Sequence, residues 1–251
     1  MKDFSGKVAL ITGAGKGFGR VISVAFAVHG ARVAVNDITP INLNQTVAEI
    51  RANQGQVKDY IADVASKMAV QAMINQILDE WGQIDILVNC ATVNPNVSIL
   101  EMDEWDWRRT LDVNLTGTFF SMQSIGRVMR QQGGGVIVNV ASIPENSQGA
   151  KGRAAYTASN MGLFGLTRAS ASEFAAYNIR INAIGLGIIE KGVNVNSLED
   201  AESVQSWMAN RNIEGSIETQ EVAGMVLHLC SSSSRDISGK IFQIEKRGSY
   251  T

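Results

Sequence analysis

Lys7-Val-Ala-Leu-Ile-Thr-Gly-Ala-Gly-Lys-Gly-Phe-Gly-Arg20 decides how the chain begins to fold. Val8 to Ile11 is a short apolar, partly β-branched run that breaks into glycines at 13, 15, 17 and 19, and Phe18 to His29 has helical spacing. That pattern is strand, tight turn, helix. The first backbone N–H groups of a helix have no internal partner, and glycines let an anion approach them closely, so the turn favours a diphosphate. A dinucleotide is therefore expected over the first strand–helix connection.

The next apolar run, Arg32 to Val35, ends in Asn36-Asp37, which puts a carboxylate at the tip of a second strand, where an adenosine ribose would lie. Asp37 there accepts from both ribose hydroxyls and repels a 2′-phosphate, which favours NAD over NADP. A second role remains open, as a helix cap or turn residue. Lys16 in the glycine turn leans toward NADP, because a cation there can hold a 2′-phosphate.

Composition narrows the class. A chain of 251 residues with 45% apolar content buries a substantial core, and one domain over residues 1–251 is the expectation. The formal charge is −2 with Lys and Arg scattered, so there is no basic stripe for nucleic acid. Cys90 and Cys230 lie far apart and His29 and His228 are the only histidines, which supports neither a disulfide framework nor a metal site and suits a reducing cytoplasm. The N-terminal stretch lacks a signal peptide's apolar core, and no apolar run approaches the roughly 18 residues that span a bilayer. A soluble, cytoplasmic protein is expected.

Strand-like and helix-like stretches alternate along the rest of the chain. Helices are expected over Ile41–Asn53, Met68–Trp81, Trp105–Arg130 with an interruption at Gly117, Tyr156–Tyr177 and Thr219–Cys230; strands over Val57–Ala62, Ile84–Val88, Val136–Val140, Ile179–Ile184 and Lys240–Ile244. Such alternation predicts an α/β fold, a doubly wound parallel sheet with helices on both faces. Ligands in these sheets sit beyond the carboxyl ends of the strands. Asp63, after the third strand, is placed either to accept from an adenine amino group or to cap the helix starting near Ser66. Three further polar groups fall at or near strand ends: Ser142, Tyr156 and, in the long helix, Asn114. A tyrosine beside a carbonyl can pass its oxygen a proton while hydride moves at carbon, and a serine hydroxyl can hold the same oxygen.

Thr12-Gly-Ala-Gly-Lys-Gly-Phe-Gly19, Asp63-Val64, Asn89-Cys-Ala91, Asn114-Leu-Thr-Gly117, Asn139-Val-Ala-Ser142 and Tyr156-Thr-Ala-Ser159, in that order and spacing, resemble the short-chain dehydrogenase/reductase family over nearly the whole chain. The resemblance implies a single Rossmann-type domain, a nicotinamide cofactor, a secondary alcohol or ketone as substrate, and a homotetramer or homodimer in which the Trp105–Arg130 and Tyr156 helices form the main contact. Carried over by position, it implies cofactor contacts at Gly13, Gly15, Lys16, Gly17, Phe18, Gly19, Asp37, Asp63, Val64, Asn89, Ala91, Tyr156, Gly187 and Ile189. Asn114, Ser142, Tyr156 and Asn160 fall at catalytic positions, with Asn114 holding a water or backbone position in the proton path.

Departures from the pattern cluster at the reactive end. Four residues after the tyrosine the family has a lysine, and this chain has Asn160. An i, i+4 pair shares a helix face, so a lysine there lies beside the phenol, stabilises a tyrosinate and reaches the nicotinamide ribose. Asn160 is expected to orient the ribose without supplying charge. A phenol of ordinary acidity, with pKa about 10, is ionised to roughly one part in a thousand at pH 7. Alcohol oxidation is then expected to fall by about 10²–10³-fold and ketone reduction by less. Lys151 and Lys191 are candidate substitute cations. Gly185-Leu-Gly-Ile-Ile-Glu-Lys-Gly192 replaces the family's Pro-Gly and threonine, Glu245-Lys-Arg-Gly248 replaces an aspartate and two glycines, and Cys90 and Thr92 depart from the usual Asn-Asn-Ala-Gly. A substrate loop or lid is expected around 186–211. An alternative of a different kind is a catalytically silent NAD-binding homologue acting as an oligomeric partner or sensor.

Overall fold

A computed structural model describes residues 4–143, 151–187 and 219–244. Seven strands form one parallel sheet: β1 (Val8–Thr12), β2 (Arg32–Asp37), β3 (Gln56–Ile61), β4 (Ile86–Asn89), β5 (Gly135–Ser142), β6 (Ile179–Leu186) and β7 (Ile241–Ile244), in the spatial order β3-β2-β1-β4-β5-β6-β7. The helices between them are α1 (Gly17–Val28), α2 (Pro40–Ala52), α3 (Lys67–Trp81), α4 (Glu104–Leu111), α5 (Gly117–Gln132), α6 (Ala154–Phe174) and α7 (Thr219–Cys230). This is the doubly wound, Rossmann-type single domain that the alternation predicts.

Strand parity explains the two layers. In β1, Ala9 and Ile11 join Ile22 and Phe26 of α1 and Val222, Val226 and Leu229 of α7 in one apolar cluster. Val8 and Leu10 point the other way, into a cluster with Val70, Ile74 and Ile77 of α3 and Ile125 and Met129 of α5. Both faces of the central strands are thus dry, so alternation with polar residues is absent from β1 and the strand is apolar throughout. Strand order reverses between β1 and β4, and that switch point opens the crevice in which such sheets take ligands.

The expected long helix from Trp105 to Arg130 runs as α4, a π-helical turn over Asp112–Thr116, and α5. The interruption therefore lies just before Gly117. Gly117 itself serves close packing: a Cβ there would stand 2.9 Å from Val64 Cγ2. The last turn of the Tyr156 helix tightens to a 3₁₀ turn over Ala175–Tyr177, and the other elements fall within two residues of their expected bounds. Among the described residues no helix is long and apolar enough to cross a membrane.

Candidate active site

The glycine turn is dictated by space. Gly13 and Gly17 hold positive φ values of 63° and 57°, a region that side chains disfavour. A Cβ on Gly19 would lie 2.2 Å from the Gly13 carbonyl oxygen, and one on Gly13 would lie 2.7 Å from the Ala91 backbone. The turn's carbonyls are drawn away from its amides: Thr46 Oγ1 donates to Ala14 O at 2.8 Å, and Arg20 Nε donates to Gly15 O at 3.1 Å. Lys16, the residue before α1, makes no side-chain cap, so the first amides of α1 keep their capacity for an anion.

A cleft of about 590 Å³ starts at this turn and crosses the carboxyl ends of β1, β4 and β5. Gly13, Lys16, Gly17, Phe18, Gly19, Asp37, Asp63, Val64, Ala91, Ser142, Tyr156 and Asn160 all line it. Asp37 closes one part of the wall, accepting from Gly15 N at 3.0 Å and Thr39 N at 2.9 Å. Asp63 accepts from Ala65 N at 3.0 Å and pairs with Arg109 Nη1 at 2.9 Å. Capping of α3 falls to Ser66, whose hydroxyl accepts from Ala69 N, which settles that alternative for Asp63. The uncapped helix end, the sterically required glycines and the carboxylates at the tips of β2 and β3 fit a dinucleotide laid across the sheet from β3 to β5.

At the β5 end, Ser142 Oγ and Tyr156 Oη are 2.6 Å apart. Ser142 is the last residue of β5 and Tyr156 lies in the first turn of α6, so a strand end and a helix start meet at the cleft. Asn160 is 5% exposed, and its amide joins the two elements. Its Oδ1 accepts from Ser142 N at 2.8 Å, and its Nδ2 donates to Tyr156 O at 2.7 Å. Asn160 thus ties the backbones of serine and tyrosine together while also lining the cleft, a role the sequence did not suggest.

Four expected site residues stand behind the wall. Asn89 donates from Nδ2 to Asn139 Oδ1 at 2.8 Å, and Asn139 donates in turn to Thr167 Oγ1 at 2.9 Å. Asn89 and Asn139 are register partners on β4 and β5, so their side chains share the buried α5–α6 face and Asn89 is turned from the cleft. Asn114, in the π turn, accepts from Val93 N at 2.8 Å and donates to Val93 O at 3.0 Å, which fixes the strand-end loop whose Val93 lines the cleft. It holds the Val93 backbone; a π turn suits this, since its wider register swings one residue inward. Gly15 backs onto Asp37, and Gly187 donates to Ile244 O. Ile189, Lys191 and most of the 186–211 lid, together with Glu245–Gly248, lie outside the described residues. Lys151 is described and does not line the cleft.

Sequence spacing had missed Arg109, Arg20, Thr46 and Arg153. The first three act through partners 46, 26 and 32 residues away, which periodicity does not register. Arg153 lines the cleft one helical turn before Tyr156, a spacing that is visible in the sequence. Burial pushes the Cys90 thiol, after β4, up to about 12.

A doubly wound sheet with a dinucleotide-sized crevice ending in a hydroxyl pair defines a nucleotide-dependent oxidoreductase. The family model for short chain dehydrogenases matches residues 7–202. The chain is 33% identical over 240 residues to a 3-oxoacyl-(acyl-carrier-protein) reductase of Thermotoga maritima, covering 96% of each. It is 37% identical over 184 residues to a D-threitol dehydrogenase of Mycolicibacterium smegmatis, covering 73% of this chain and 70% of that one. Among solved structures, levodione reductase superposes with a TM-score of 0.88 at 27% identity, covering 98% of both chains. NAD⁺-bound xylitol dehydrogenase gives 0.86 at 29% identity, covering 96% of this chain and 98% of that one. The chain belongs to the short-chain dehydrogenase/reductase family, oxidoreductases that move hydride between a nicotinamide dinucleotide and an alcohol or ketone.

Proposed function

We propose that this protein is an NAD(H)-dependent reductase of a small ketone, with Tyr156 as proton donor and Ser142 as the group that steadies the carbonyl oxygen. The 2.6 Å contact between Ser142 Oγ and Tyr156 Oη carries this reading, because it sets two hydroxyls side by side, and a carbonyl oxygen seated on the cleft side of the pair accepts from both once each turns its proton outward. The nicotinamide, when bound, supplies the hydride to the carbonyl carbon. Tyr156 then gives its proton to the oxygen as charge builds there, and Ser142 holds that oxygen in place.

Gly13, Gly17, Phe18 and Gly19 are proposed to hold the diphosphate, with Lys16 beside it; Asp63, Val64 and Ala91 border the rest of the dinucleotide. Asp37 is the reason to favour NAD: a carboxylate already anchored by Gly15 N and Thr39 N fills the space a 2′-phosphate needs and repels it. Gly15 acts by anchoring Asp37. Asn114 and Asn160 are positioning residues, one for the Val93 loop and one for the serine–tyrosine pair. Without a lysine at 160, reduction suffers less than oxidation, since reduction starts from the neutral phenol. A homotetramer or homodimer in the cytoplasm is proposed for the protein, in line with the half-exposed Trp107 and exposed Trp105 on α4.

The silent-homologue reading draws on Asn160 and makes the opposite forecast. Titration with NADH and NADPH, followed by a panel of ketones, separates the two. Saturable NADH uptake with turnover by the unmodified protein supports the proposal; uptake with turnover only in Asn160→Lys identifies a silent homologue; no uptake refutes both.

A further inference from the structure

Arg153 is the last residue before α6, one turn ahead of Tyr156, and it lines the cleft while partly buried. Among the described residues its guanidinium makes no hydrogen bond and no ion pair; its backbone carbonyl accepts from Thr157 N at 2.8 Å. Arg109, the other arginine on the wall, is neutralised by Asp63 at 2.9 Å. A guanidinium with five donors, lining a cleft and without a partner among the described residues, is available to a ligand anion.

The surroundings of Arg153 favour that anion. Gly152 at φ +75° receives a hydrogen bond on its carbonyl from Val97 N at 2.9 Å, and a Cβ on Gly152 would lie 2.3 Å from Asn96 Oδ1. The turn carrying Arg153 is therefore seated on the 94–97 segment, whose Asn94, Pro95 and Asn96 also line the cleft. No acid stands among these residues. Asp37 and Asp63 sit at the tips of β2 and β3, across β1 and β4 from the hydroxyl pair, and Asp106, which also lines the cleft, lies one turn before Arg109 on α4. The first turn of α6, which lacks a side-chain cap, adds its positive end to the same place.

Resting on the function proposed above, we infer that the substrate is a small oxoacid whose carboxylate is bound by Arg153 while its carbonyl meets Tyr156 and Ser142. The arginine's planar fork matches a carboxylate through two parallel bonds, and its place one helical turn from the phenol sets the carboxylate a few bonds from the reacting carbon. Arg153 is thus the residue that separates acids from neutral ketones in this chain.

The test measures kcat/KM with NADH for 2-oxobutanoate, 3-oxobutanoate and 4-oxopentanoate, each beside its methyl ester, in the unmodified protein, Arg153→Met and Arg153→Lys. At least one acid should be preferred over its ester, and Arg153→Met should lower that acid-to-ester ratio roughly 10–100-fold, the weight of a charge-assisted pair, mostly through KM. Arg153→Lys should recover part of the ratio. Binding of the same acids to the NADH-bound protein, read by nicotinamide fluorescence, should weaken in parallel. If esters and acids fall alike in Arg153→Met, or if the ratio does not change, the assignment of Arg153 is wrong while the reductase stands. If dihydroxyacetone phosphate, and none of the acids, shows the Arg153-dependent preference, the carboxylate class is wrong. If neither NADH uptake nor turnover occurs, the underlying function falls and this inference with it.

Discussion

Asn160→Lys should pull stability and oxidation chemistry in opposite directions, because the native amide does a job a lysine cannot. Asn160 Oδ1 accepts from Ser142 N at 2.8 Å in a residue 5% exposed, and an ammonium group has donors only. The variant leaves the Ser142 N–H without its acceptor, which costs about 1–3 kcal/mol when the group stays dry. The bond to Tyr156 O counts for less, since that carbonyl also accepts from Ser159 Oγ at 2.8 Å. At about 2–4 °C per kcal/mol for a chain of this size, Tm should drop by roughly 2–12 °C. Against this, a cation one turn from the phenol stabilises the tyrosinate on which oxidation depends. NAD-linked oxidation of a secondary alcohol should therefore gain up to about 10²–10³-fold in kcat and reduction less than about tenfold, with KM values shifting so that kcat/KM keeps its equilibrium ratio. Thermal unfolding and steady-state rates in both directions at pH 7 measure the pair of effects. An unchanged Tm would mean that the Ser142–Asn160 bond carries no weight, and a fall in oxidation with no gain would mean that the clamp, not the missing charge, governs the site.

Three other outcomes are expected. Tyr156→Phe removes the hydroxyl 2.6 Å from Ser142 Oγ and should lower kcat for ketone reduction by about 10²–10⁴-fold while NADH fluorescence titration still saturates; retained turnover would remove Tyr156 from the mechanism. Asp37→Ser deletes the carboxylate anchored on Gly15 N and Thr39 N and should shift the NADH-to-NADPH affinity ratio toward NADPH by about 10–100-fold; a ratio that stays put would show that Asp37 does not set the preference. Alkaline stability follows from buried acids: burial pushes Cys90 and Cys230 up from 9 to about 12, so the folded protein keeps protons that the unfolded chain loses. Their contribution is whole below about pH 9 and is lost as pH rises toward 12, so urea midpoints should decline across that window, and less so in Cys230→Ala than in the parent.

The fold was legible because its signals are local. Val8–Ile11 into spaced glycines specifies strand, turn and helix within a few residues, and the recurrence of short apolar runs sets a parallel sheet. The π turn at Asp112–Thr116 was not legible, because one added residue per turn leaves a 3.6-residue pattern almost intact and places the break visually at Gly117. Asn89 went astray through parity: at a strand end its side chain can face the cleft or the helices, and only its β5 neighbour Asn139 decides. Asp63 offered two roles from its position alone; Ser66 takes the α3 cap through a contact three residues along, whereas the ion partner of Asp63, Arg109, comes from a helix 46 residues away.

Asn160 holds the sharper lesson about reading a departure from a family pattern. Treated as a missing lysine, it implies only loss. Its two hydrogen bonds, at 2.8 Å to Ser142 N and 2.7 Å to Tyr156 O, imply an exchange, in which a mobile charge facing the cofactor gives way to a neutral tie between the two hydroxyl-bearing residues. A site that had simply decayed would have no reason to keep Ser142 Oγ and Tyr156 Oη at 2.6 Å or to leave a cleft-lining Arg153 without a protein counter-ion among the described residues. Neutral-phenol chemistry needs the serine and tyrosine fixed more than it needs the tyrosine ionised. A short amide that fixes both therefore suits the proposed reductase, in which Arg153 is assigned the substrate's anionic end.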